Sequence, residues 1–168
     1  ALKGAREFTK AQPGNATGQE LLGVAAQVNR LYRQAETAYT EARRLEPGRL
    51  PVMVRLGELG LETRDPKKAE GWFRKALTAN ADLAAARRGL VVALLRQRQI
   101  GSALNEAREA IRRDPKDLDA KILLAQIYHD MGRATAAEAV LDEALAAAPD
   151  SAQALQVQGL VKLELGKA

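Results

Sequence analysis

Apolar and small residues recur along this chain at helical spacing. Leu56, Leu59 and Gly60 stand three and four residues apart, and so do Ala69, Phe73, Ala76 and Leu77. That spacing lays one apolar stripe along each of two amphipathic helices. Asp65-Pro66 between them is a helix-start signal, because aspartate accepts from free N–H groups and proline suits the first helical position. Asp117 before Leu118 and Asp150-Ser151 before Ala152 predict starts of the same kind, and Gly132 suits a helix end. Alanine and glycine at the crossing let two helices approach closely, with Phe73 as the core anchor beside them. Such a pair leaves an apolar face that only the next pair can cover.

The pattern repeats. Pro13, Pro47, Pro115 and Pro149 share one column of a 34-residue register, and Asn80-Ala81-Asp82 fills the missing place with another turn-like stretch. Ala1, Ala35, Ala69, Ala103 and Ala137 form a second column. A third holds Ala42, Ala76, Ala110 and Ala144, with Phe8 as its exception. Leu22, Leu56, Leu90 and Leu124 form a fourth, followed at once by Gly23, Gly57, Val91, Ala125 and Gly159. Proline in the closing column cannot continue a helix, so it separates one hairpin from the next.

On these columns the chain resembles the tetratricopeptide repeat (TPR) family, whose unit is a 34-residue helical hairpin. Leu56-Gly57, Ala69, Phe73 and Ala76 match its signature, as do Leu22-Gly23, Ala35, Tyr39, Ala42 and Pro47, and Leu124-Ala125, Tyr128, Ala137, Ala144 and Pro149. The opening aromatic of the signature is absent, with Gln19, Met53, Arg87 and Lys121 in its place. The third unit departs furthest, through Val91, Leu94 and Ala107. The resemblance implies an all-α fold: a right-handed superhelical solenoid of antiparallel helix hairpins. The units fall at 16–49, 50–83, 84–117 and 118–151, after a truncated second helix over 1–15 and before a first helix over 152–168. Gly166-Lys167-Ala168 repeats Gly132-Arg133-Ala134, so the chain reads as a fragment of a longer protein. A native capping helix is the alternative. Leu155, Val157, Leu160, Val161, Leu163 and Leu165 make that helix apolar all round.

Composition adds exclusions. Hydrophobic residues are 46% and charged residues 28% of 168, ordinary for a folded domain, and aromatics are only 4%. With no cysteine, thiolate metal sites and cysteine nucleophiles are excluded. No apolar run approaches the roughly 20 residues needed to span a membrane. The net charge of +5 favours an acidic partner or nucleic acid. Yet basic pairs such as Arg43-Arg44, Arg74-Lys75 and Arg112-Arg113 fall late in predicted helices, where they complement the helix dipole.

The resemblance implies a groove lined by the first helices. Its candidates are Glu20, Val24 and Gln27, then Val54, Glu58 and Leu61, then Arg88, Val92 and Leu95, then Ile122, Gln126 and His129, and finally Gln156, Leu160 and Leu163. Several are apolar where a solvated face would be polar. They would suit an extended segment or an amphipathic helix of a protein or peptide partner, or else they pack between hairpins. A clamp for chaperone-tail carboxylates, known in one TPR subfamily, is not expected. Of Glu20, Val24, Arg55, Ala85 and Gly89 at its positions, only Arg55 could serve.

No catalytic, cofactor or metal site is expected. His129 and Asp130 are neighbours on one helix and so do not face each other. Gly166-Lys167 lacks the preceding glycine of a phosphate loop. Two other readings stay open beside protein binding: nucleic acid held by a basic face, and self-association through the array ends. The former lacks the recurring polar groove residues and stacking aromatics that base readout requires. The alanine- and arginine-rich composition resembles bacterial arrays that scaffold envelope, secretion or polysaccharide-export assemblies, with a cytoplasmic or periplasmic location.

Overall fold

In the computed structural model, which describes residues 1–166, ten helices follow one another and no strand occurs among the described residues. They are α1 (Leu2–Ala11), α2 (Ala16–Val28), α3 (Tyr32–Leu45), α4 (Leu50–Glu62), α5 (Pro66–Ala79), α6 (Ala84–Arg96), α7 (Ile100–Arg113), α8 (Leu118–Asp130), α9 (Ala134–Ala147) and α10 (Ala152–Glu164). The even-numbered helices are 13 residues long and begin 34 residues apart; α3, α5, α7 and α9 are 14 long with the same spacing. The predicted all-α repeat of helical hairpins is therefore present. The expected match of Lys167 and Ala168 to Arg133 and Ala134 lies outside the described residues.

Local chemistry sets the ends. Asp65 accepts from the Lys68 N–H at 3.0 Å and Asp117 from Ala120 at 3.0 Å, the two aspartate caps read from sequence. At 150–151 the cap is Ser151, which accepts from Ala154 at 3.3 Å. Asn15 does the same for Gly18 at 2.9 Å.

The turns from first to second helices share one closure. The N–H groups of Leu31, Asp65, Gln99 and Arg133 donate five residues back to Ala26, Gly60, Leu94 and Tyr128, at 2.8–3.0 Å. This is the Schellman arrangement, and it needs a left-handed residue just before the donor. Gly132 supplies it at φ +68°, as expected, but Arg30, Arg64 and Arg98 take φ of 58–60° in the same place.

The chain packs as two compact units, Ala1–Gly89 and a second beginning at Leu90. In the first, Ala26, Ala35, Tyr39, Ala42, Val52, Leu56 and Leu59 form a core flanked by Val24, Tyr32 and Trp72. In the second, Ile122, Ala125, Ala134, Ala137, Leu141, Ala154, Val157 and Val161 do so. Aromatic rings fill space that glycines leave open. A Cβ added at Gly23 would stand 2.4 Å from the Tyr39 ring, and one at Gly57 2.5 Å from Phe73. Phe73 is wholly buried, the anchor the sequence predicts.

The basic pairs divide. Arg43-Arg44 and Arg112-Arg113 occupy the last turns of α3 and α7. Arg74-Lys75 does not, because α5 continues to Ala79 with no basic residue in its last turn. No helix of the described residues is long and apolar enough to cross a membrane.

Candidate functional site

The candidate residues occupy the fifth, ninth and twelfth places of each first helix. Steps of four and three residues put them on one helical face.

In the first unit, three of the polar candidates are already engaged. Glu20 accepts from Nε of Arg49 at 2.5 Å, and the same guanidinium reaches Glu46 at 2.7 Å and Thr17 at 3.1 Å. Gln27 stands in a relay: the Tyr39 hydroxyl donates to its Oε1 at 2.7 Å, and its Nε2 donates to Glu62 at 2.6 Å. Burial pushes the Tyr39 phenol up to about 12, with Arg55 opposing and Glu58 adding to the rise. Glu58 pairs with Arg55 at 3.1 Å. Val24, Leu61 and Arg88 are half-buried, while Val54 is buried at 9% exposure.

In the second unit, Val92, Leu95, Gln126 and His129 are half-buried, and Gln156, Leu160 and Leu163 are exposed. Ile122 is 1% exposed and belongs to the core of this unit. The expected groove role of Ile122 and Val54 therefore needs correcting: both side chains are withdrawn into helix packing. His129 also differs from expectation. Its Nδ1 lies 3.6 Å from Asp130 and its Nε2 3.5 Å from Glu164, so two carboxylates flank the ring. Both separations exceed good hydrogen-bond length.

The structure adds an apolar cavity of about 420 Å³ in the first unit, where Val24 meets Phe8, Leu21, Ala25 and Val28. Phe8 is the exception in the alanine column, and Gly18 stands where the next unit has Val52. A Cβ on Gly18 would lie 2.6 Å from the Phe8 ring, so a large residue and a small one have exchanged places. That exchange was the sequence signal for the cavity, but it could be read only with α1 and α2 side by side.

Comparison with known proteins agrees with the repeat. Two family models described as tetratricopeptide repeat match residues 21–85 and 94–160. No curated protein matches the chain in sequence. Among solved structures, YrrB, described as a TPR protein with an unusual peptide-binding site, is 22% identical, with 94% of this chain and 81% of that one covered at a TM-score of 0.76. A thermophilic TPR protein of Thermus thermophilus is 20% identical over 91% and 84%, at 0.78. Pseudomonas aeruginosa pilF is 16% identical over 90% and 69%, at 0.79. At such identities these likenesses show the fold alone.

Proposed function

Because the chain belongs to the tetratricopeptide repeat family, whose members generally mediate protein–protein interactions, we propose that its first-helix faces bind an apolar segment of a protein partner. In the first unit the face is Val24, Leu61 and the cavity beside Phe8, Leu21 and Val28. In the second it is Val92, Leu95, Gln126, Gln156 and Leu160, with Leu163 adjoining. The ionic candidates Glu20 and Glu58 shape the first face while held by arginines, and Gln27 is fixed by Tyr39 and Glu62.

One observation carries the reading. The large hydrophobic residues exposed among the described residues are Phe8, Leu21, Val28, Leu31, Met131, Leu155, Leu160 and Leu163. Five of these lie on the first helices α2 and α10 and Phe8 lies beside them on α1, while none lies on α3 to α9. Apolar surface gathered on α2 and α10 marks an interaction face there. The peptide-binding site described for YrrB supports a peptide segment as the occupant. A bacterial envelope, secretion or polysaccharide-export assembly is the setting that composition supports.

The test is capture of a partner from an extract of the source cell. Leu160→Glu/Leu163→Glu is expected to lose a partner that Ser102→Glu, on α7, retains, with helicity equal by circular dichroism. Retention by the leucine variant, with loss from Ser102→Glu, overturns the proposal.

A further inference from the structure

The second helices of the first unit bring two cations to the chain's one tryptophan. Trp72, on α5, is half-buried against the core around Tyr39 and Leu56. Cζ of Arg43, from α3, lies 5.1 Å from its ring centroid, and Nζ of Lys75 lies 4.3 Å from it. Both are within cation–π range. The two cations are therefore within about 10 Å of each other, one Debye length at 0.1 M salt, and an anion near either is attracted by both.

Three other cations of these helices are matched: Arg44 with Glu41, Lys68 with Glu36, Arg74 with Glu70. Among the described residues Arg43 and Lys75 have no carboxylate partner. The sequence offers Lys75 none, since Gly71, Trp72, Thr78 and Ala79 occupy the places three and four residues away. Glu46, three residues after Arg43, is taken by Arg49 at 2.7 Å. Nε of Arg43 is buried without an acceptor. Its guanidinium has thus lost water on one side with no anion in exchange, and its outer nitrogens are the donors left for a ligand.

We infer that Arg43, Trp72 and Lys75 form a docking site for an acidic side chain of a protein partner. The carboxylate accepts from the outer Arg43 nitrogens and Lys75 Nζ, with the ring as its apolar floor. Glu36, Glu41 and Glu70 hold Lys68, Arg44 and Arg74 on the same two helices, which leaves no continuous basic track for a phosphate chain, whereas a single carboxylate needs only these two cations. The site lies on second helices, so it stands or falls independently of the first-helix faces.

Trp72 reports on its own site. Titration of the whole chain with an acetylated tetraglutamate peptide is expected to change its fluorescence saturably, with affinity falling several-fold as salt rises from about 50 to about 200 mM. Arg43→Gln/Lys75→Gln is expected to weaken binding about tenfold or more, while Arg33→Gln/Lys67→Gln, with the same loss of charge, leaves it unchanged. If the double variant loses helicity, Lys75→Gln alone must weaken binding several-fold. The inference is overturned by an unsaturable or absent signal, by equal weakening in both double variants, or by an oligouridylate that binds the same residues more tightly than the peptide.

Discussion

Gly57→Ala should change sign with the residue at 73. In the native chain the new Cβ would stand 2.5, 2.7 and 2.8 Å from Cε1, Cζ and Cδ1 of Phe73. The ring has no ready retreat, because a Cβ at Gly89 would meet it at 2.3 Å. Overpacking of this kind costs about 1–3 kcal/mol. Alanine in place of glycine within a helix returns roughly 0.5–1 kcal/mol. The net effect runs from near zero to a destabilisation of about 2.5 kcal/mol. Phe73→Ala alone, at a fully buried position, should cost about 3–5 kcal/mol. With the ring gone, the Gly57→Ala methyl enters vacated space, and the change should stabilise by up to about 1 kcal/mol. The coupling is therefore about 1–3 kcal/mol, a clear departure from additivity. Urea unfolding of the four proteins, followed in parallel by circular dichroism and Trp72 fluorescence, measures it. Two probes are needed because a repeat array need not unfold in one step. Equal shifts from Gly57→Ala in both backgrounds would refute the claim that the glycine is there to admit the ring.

Three further outcomes follow from particular contacts. Arg64→Gly should be neutral or stabilise by up to about 1 kcal/mol, whereas Gly132→Ala should destabilise by about 1 kcal/mol, since both residues occupy the left-handed place of the same turn; thermal unfolding of the two variants compares them. Asp117→Ala should cost about 1 kcal/mol by removing the cap on the Ala120 N–H, while Asp119→Ala, at an exposed position two residues later, should cost less in the same urea titration. Tyr39 is held neutral by burial, with its phenol raised from 10.0 to about 12. A raised value favours the folded state fully below the ordinary phenol range and loses that contribution as pH climbs from 10.0 towards about 12. The urea midpoint should therefore fall over that interval, and less steeply in Tyr39→Phe.

What the sequence revealed was local and periodic. The proline and alanine columns sit at fixed offsets within each hairpin, so the helices and the aspartate caps at 65 and 117 could be read without knowing any long-range contact. The left-handed arginines could not, because residue rules reserve that conformation for glycine while the five-residue closure of each turn places Arg30, Arg64 and Arg98 in it. The candidate face was only half legible. Its fifth place borders the packing stripe, so Val54 and Ile122 turn inward while Gln156 stays exposed, and the register treats the three alike. Glu164 beside His129, and Phe8 over Gly18, depend on which helices lie together, which spacing within one helix does not record.

Site-specific photo-crosslinking tests the central claim most directly. A photoreactive residue would replace Val24 or Gln156 on first helices, or Ser102 or Thr135 on second helices, and each protein would be irradiated in extract of the source cell. Crosslinks to a protein partner from Val24 or Gln156, and none to that partner from Ser102 or Thr135, are the predicted result. The same partner crosslinked from the second helices alone would contradict the account.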